Sequence, residues 1–177
     1  MLVVLNGKPG SGKSVAARRI AEELSRRRVP VAGLVTDEIR DGDRRRGFAV
    51  CDLATGRCAT LADVDLPGPP RIGRYGVDLE GFEEVALPAL EPPAGGVLVI
   101  DEVGPMELES TAFRERVAEL IDQPINGVIT VPARTHPFLE RIRVSGEQRF
   151  VTPETRETLP REVVEMLAQH LGYGTAA

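Results

Sequence analysis

The 177-residue chain carries a net charge of −5 and a pI near 5.2, with 42% apolar and 28% charged residues. That size and balance suit one globular domain over 1–177, and the acidic excess argues against a sequence-independent grip on nucleic acid. The opening run Leu2-Val3-Val4-Leu5 is too short for a secretory core or a membrane span, so a soluble, cytoplasmic protein without membrane contact is expected.

Leu2 to Leu5 reads as a strand buried on both faces, and Gly7 to Gly12 as a glycine-rich turn. Lys13 to Arg28 carries apolar residues at helical spacing (Val15, Ala16, Ile20, Ala21, Leu24), with Arg26 to Arg28 as a basic last turn. Val31 to Ile39, Phe48 to Leu53 and Cys58 to Ala62 follow as strands separated by Asp41-Gly42-Asp43 and Thr55-Gly56-Arg57. Three strands in succession imply an antiparallel meander inserted after the first βα unit. Cys51 and Cys58 are too few for a disulfide scaffold or zinc site; each is expected to pack as a small buried residue or face a neighbour across a hairpin.

Residues 63–73, rich in proline and glycine, read as a loop, and Glu80 to Ala89 as a helix interrupted near Pro88. Val97 to Ile100 is a fully apolar strand, and Glu109 to Ile121 a helix. Gly127 to Val131 is another buried strand, Pro137 to Ile142 helical, Arg149 to Val151 a short strand and Pro160 to Leu171 the closing helix. Alternating strands and amphipathic helices indicate an α/β fold.

Chemistry concentrates in two segments. Gly7-Lys8-Pro9-Gly10-Ser11-Gly12-Lys13-Ser14 matches the P-loop pattern G-x-x-x-x-G-K-[ST] at every fixed position, between a buried strand and a helix. Its glycines let the backbone approach phosphate oxygens, and its amides face one concavity at the positive end of the helix. Lys13 would bridge the β- and γ-phosphates, and the Ser14 hydroxyl would ligate Mg²⁺. The chain has 20 arginines and only two lysines, Lys8 and Lys13, both inside this segment. A lysine kept against that bias points to a need for a compact ammonium, which singles out Lys13; Lys8 sits at a variable position. The second segment, Val97 to Ile100 followed by Asp101-Glu102, is a Walker B pattern. Asp101 would hold Mg²⁺ through its water shell, and Glu102 would orient or deprotonate the attacking water.

Beyond these motifs, GLVTDEIRDGDRRRGF, IGRYGVDLEGFEEVALPAL, VLVIDEVGPMELESTAF and VTPETRETLP occur in one order across nearly the whole chain. In this order they resemble the small P-loop nucleoside-triphosphatases first described from thermophiles, a family with a human cancer-related member. The resemblance implies a RecA-like α/β domain with a mostly parallel central sheet, Mg²⁺-dependent, hydrolysing nucleoside triphosphates slowly with little regard for the base. It also implies that Glu38, Arg40, Arg44 and Arg45 line the site, with one arginine neutralising charge on the transferring phosphoryl group. Three departures stand out: Ser14 for the commoner threonine, Pro105 for a lysine, and Thr155-Arg156 for an Asn-Arg pair. Arg156 could still stack on a base, while the lost amide bears on base preference.

Thr130, on the strand expected beside the P-loop strand, is either a γ-phosphate sensor or an ordinary strand threonine. His136, before Pro137, reads as structural or exposed. Two other functions share the same core: a phosphotransferase passing the γ-phosphate to a nucleoside or other small hydroxyl compound, and a nucleotide-gated binding protein. No protein partner can be read from the chain.

Overall fold

The computed structural model describes residues 1–173. β1 (Leu2–Gly7) is a buried apolar run, as a strand covered on both faces must be. α1 (Lys13–Arg26) follows the P-loop, and β2 (Val31–Asp41), β3 (Arg44–Asp52) and β4 (Cys58–Asp63) form the meander. A short hairpin, β5 (Arg71–Ile72) and β6 (Tyr75–Val77), occupies the end of the stretch expected to be loop. Next come α2 (Leu79–Ala89), β7 (Val97–Asp101), α3 (Thr111–Ile121), β8 (Gly127–Pro132), α4 (Pro137–Ser145), β9 (Glu147–Phe150) and α5 (Leu159–His170).

All nine strands join one sheet in the order β5-β6-β4-β3-β2-β7-β8-β1-β9. From β2 to β9 every pairing is parallel; from β2 outward to β5 every pairing is antiparallel. β8 lies between the P-loop strand and the Walker B strand, the arrangement expected of a RecA-like core. Val3, Leu5, Val97, Val99 and Val128 pack against α1 and α5 on one face. Val4, Leu98, Ile100 and Ile129 pack against α2, α3 and α4 on the other. The strands' carboxyl ends are thereby left as the one open edge, where ligands of open α/β sheets bind.

Several local expectations shift. Pro88 does not interrupt α2, which runs on to Ala89 with Pro88 inside its last turn. α3 starts later than expected, because Ser110 accepts from the Phe113 amide and caps it, and a turn of 3₁₀ helix, Glu107–Glu109, precedes it. Arg27 lies just past α1 and reaches Glu165 of α5 at 2.6 Å, tying two helices together. Cys51 and Cys58 stand directly opposite in the β3–β4 register and are joined by a disulfide, with Cys58 exposed rather than buried. The hairpin turn between them sets that register, which spacing alone did not reveal. Among the described residues no helix is long and apolar enough to cross a membrane.

Candidate active site

The P-loop's shape follows from what its glycines exclude. A Cβ on Gly7 would lie 2.3 Å from the Ser11 hydroxyl and 3.0 Å from the Val151 carbonyl, so only glycine lets the loop fold back on β1. Gly12 caps α1 with φ 99°, in the left-handed region that glycine enters without strain. No side chain caps α1, which leaves its first-turn amides for an anion. The Arg156 side-chain stem lies 3.7 Å from the position of a Gly12 Cβ, so the turn following β9 lies against the loop.

Lys13 is 7% exposed and curls back over the loop, donating to the Gly7 carbonyl at 3.2 Å and standing 3.6 Å from Glu102. Asp101, at the end of β7, is fully buried. One of its oxygens, Oδ1, accepts from the hydroxyls of Ser14 (3.1 Å) and Thr130 (2.6 Å). The other, Oδ2, is buried without a hydrogen-bond partner. Thr36 of β2 donates to the Asp101 carbonyl at 2.8 Å, fixing the strand end from the opposite side. β1 and β8 are neighbours as expected, and Thr130 is engaged with Asp101.

Burial pushes the Asp101 carboxyl above the ordinary range, against the pull of the Thr130 and Ser14 hydroxyls and the Lys13 charge. Burial also raises Glu102, opposed by Lys13 and reinforced by Asp101. Glu107, 4% exposed, is pushed up to about 8, by burial first and then by the charge of Glu102. Three carboxyls therefore cluster at this strand end, with Lys13 near Glu102 and the charges of Lys13 and Arg18 acting on Asp101.

A cavity of about 540 Å³ opens beside these groups, walled by Pro9, Gly10 and Gly12 to Ser14 of the P-loop together with Arg18, Asp37, Glu38, Glu102 and Glu107. Pro9, Gly10, Gly12, Lys13, Ser14 and Glu102 line this cavity, with Gly7 and Asp101 held to it through Lys13 and Ser14, while Lys8 and Ser11 line only the neighbouring cavity on the other side of the loop. Arg44 and Arg45 are exposed on β3, outside this wall. Arg45 contacts Glu38 at 2.8 Å and Tyr75 at 3.1 Å and covers the Phe48 ring; Arg40 contacts Glu38 at 2.6 Å.

Arg18, which sequence reasoning passed over, lines the cavity and pairs with Asp37 at 2.5 Å. Its spacing from Ser14, one helical turn, was the available signal. Asp37 and Glu107 carried none, because only the strand order and the turn after β7 bring them here. His136 caps α4, accepting from the Phe138 amide at 3.2 Å. A second cavity of about 760 Å³ lies along Lys8 to Ser11, lined also by Arg134, Glu140, Arg143 and Phe150, and does not include Asp101, Glu102 or Glu107.

This architecture is shared with known proteins. A family model described as NTPase matches residues 2–164. The chain belongs to that family. It is 37% identical to the nucleoside-triphosphatase THEP1 of Pyrococcus abyssi, over 97% of this chain and 95% of the relative. The corresponding protein of Methanothermobacter thermautotrophicus is 36% identical, over 97% and 99%. Among solved structures, THEP1 from the hyperthermophile Aquifex aeolicus superposes with a TM-score of 0.84 at 31% identity, covering 94% of this chain and 99% of that one. The solution structure of a human cancer-related nucleoside triphosphatase gives 0.76 at 36% identity, covering 94% and 97%.

Proposed function

We propose that this NTPase-family member is a Mg²⁺-dependent nucleoside-triphosphatase that cleaves the β–γ anhydride of ATP, GTP and other triphosphates with broad base tolerance, leaving a diphosphate and phosphate. The observation that carries this reading is the buried, partnerless Oδ2 of Asp101 beside the Ser14 hydroxyl, at the mouth of a phosphate-binding loop. A hard divalent cation suits such a pair, since Mg²⁺ takes one or two protein oxygens and fills its shell with water and phosphate. When bound, the ion draws charge from the phosphate oxygens.

The chain's own groups do the rest. Loop amides and Lys13 hold the β- and γ-phosphates, and Arg156 lies where it can rest on the nucleoside. Glu102 faces the cavity and accepts a proton from water as the water attacks phosphorus; the electron pair of the breaking bond leaves with the diphosphate. Arg18 is positioned to share the developing negative charge. The names of the relatives support hydrolysis over phosphotransfer.

Turnover in H₂¹⁸O separates the two. One labelled oxygen per released phosphate is expected with ATP and with GTP. Unlabelled phosphoryl groups appearing on an added nucleoside or nucleotide would overturn water as the acceptor.

A further inference from the structure

Glu107 takes no part in the reaction as described, yet it is among the most deeply buried charged side chains of the protein. No ion pair to it occurs among the described residues. Burying a carboxyl without a cation is costly, and the site already holds two other acids. Its position explains its presence. Oε2 of Glu107 accepts from the Gly104 amide at 3.1 Å, inside the turn that carries Glu102 away from β7.

The same turn is pinned at Val103, whose amide donates to the Thr130 carbonyl at 3.0 Å, and at Leu108, which donates to the Gly104 carbonyl at 3.0 Å. Gly104 itself is wedged between the two acids. A Cβ there would lie 2.8 Å from Oε1 of Glu102 and 2.9 Å from Oε2 of Glu107. Both carboxyls thus press on one backbone position, and glycine is what lets them meet.

We propose that Glu107 is a positioning residue for hydrolysis: its buried carboxyl clamps Gly104 and so sets the Glu102 carboxylate at the distance from which it acts on water. The proposal rests on the reading of Glu102 as the base. Glu107 is raised to about 8 by burial and by the neighbouring charge, so at neutral pH it is a neutral acid that accepts from Gly104 without repelling Glu102. Glutamine reproduces that neutral shape and its acceptor oxygen; alanine supplies neither.

The test measures Mg²⁺–ATP hydrolysis, with kcat and KM separated, alongside thermal melting. Glu107→Ala is expected to lower kcat by about 30-fold, with KM within about threefold, because the group acts on the chemical step. Glu107→Gln should return kcat to within about fivefold of the parent. In the Glu102→Gln background, Glu107→Ala should cost less than about twofold more, since residues acting as one unit are non-additive. Should Glu107→Ala fail to fold, Gly104→Ala gives an independent reading: its methyl group drives the two carboxyls apart, and kcat should fall by about tenfold at unchanged KM.

Parental kcat in both Glu107→Ala and Gly104→Ala would overturn the proposal. So would an equal further loss from Glu107→Ala in the Glu102→Gln background, which would mark a merely structural role. Full turnover in Glu102→Gln alone would remove the base itself, a failure distinguishable from that of Glu107.

Discussion

The two halves of the sheet use charge in opposite ways. In the parallel half, β1, β7 and β8 are buried along their length, and Oδ2 of Asp101, at the carboxyl end of β7, is left without a partner. In the antiparallel half, β2 leaves the core after Thr36 and runs out beside β3 as an exposed ribbon. Many of its charges are satisfied by one another: Glu38 with Arg40 and Arg45, Arg46 with Asp63 and Asp65, and Arg74 with the Arg45 carbonyl. An arginine outside the cavity wall and held by two or more partners, as Arg45 is by Glu38 and Tyr75, is a strut, whereas Arg18 makes one ion pair among the described residues, to Asp37, and lines the cavity. An oxygen with no partner, beside open helix amides, awaits a ligand. Richness in charge is therefore a poor guide to the site; unsatisfied charge is the better one.

The largest effect expected from this contrast is at Lys13. Lys13→Ala should reduce kcat/KM by about 100-fold or more, measured as phosphate release over a range of ATP concentrations, because it removes the buried cation proposed to hold the phosphates. A loss under tenfold would place the phosphates elsewhere.

A second difference concerns pH. With an ordinary value of 4.5 raised to about 8, folded Glu107 holds its proton where the unfolded chain has lost it. Its contribution to stability is fully present below about pH 4.5 and is lost as pH rises toward 8. Glu107→Gln has no such dependence, so its unfolding free energy, from denaturant titration, should come close to the parent's near pH 5 and exceed it near pH 8 by about 3 to 4 kcal/mol. A gap independent of pH would mean that Glu107 is already ionised in the fold.

The smallest effect is expected on the ribbon. Arg44→Ala and Arg45→Ala should each change kcat by no more than about threefold, since Arg44 is exposed outside the cavity wall and the Arg45 ion pair is an exposed one that contributes little. Arg18→Ala should cost more than either, and the reverse ranking would return the phosphoryl-facing arginine to the ribbon.

The difference between the halves also decides what could be read in the chain itself. The P-loop is legible because eight consecutive residues carry it, and Asp101-Glu102 because a buried strand ends in acids. The lysine count marks Lys13 for the same local reason. Asp37 and Glu107 were missed because their approach to the site depends on β2 pairing with β7 and on a turn that brings Glu107 back to Gly104, whereas Arg18 was within reach of the helical spacing from Ser14. The β5–β6 hairpin was missed because two- and three-residue strands carry no usable periodicity. The disulfide depends on a register that a hairpin turn sets. The ribbon arginines attracted notice by resemblance and abundance, and neither reports on whether their donors are already taken.

The claim that hydrolysis occurs at the open edge of the parallel half, with Glu102 as the base, is tested most directly by Glu102→Gln. ATP binding with Mg²⁺, followed by calorimetry, should stay within about threefold of the parent while single-turnover phosphate release falls by 10²–10⁴, roughly the contribution of a positioned base. Undiminished release from that variant would contradict the account.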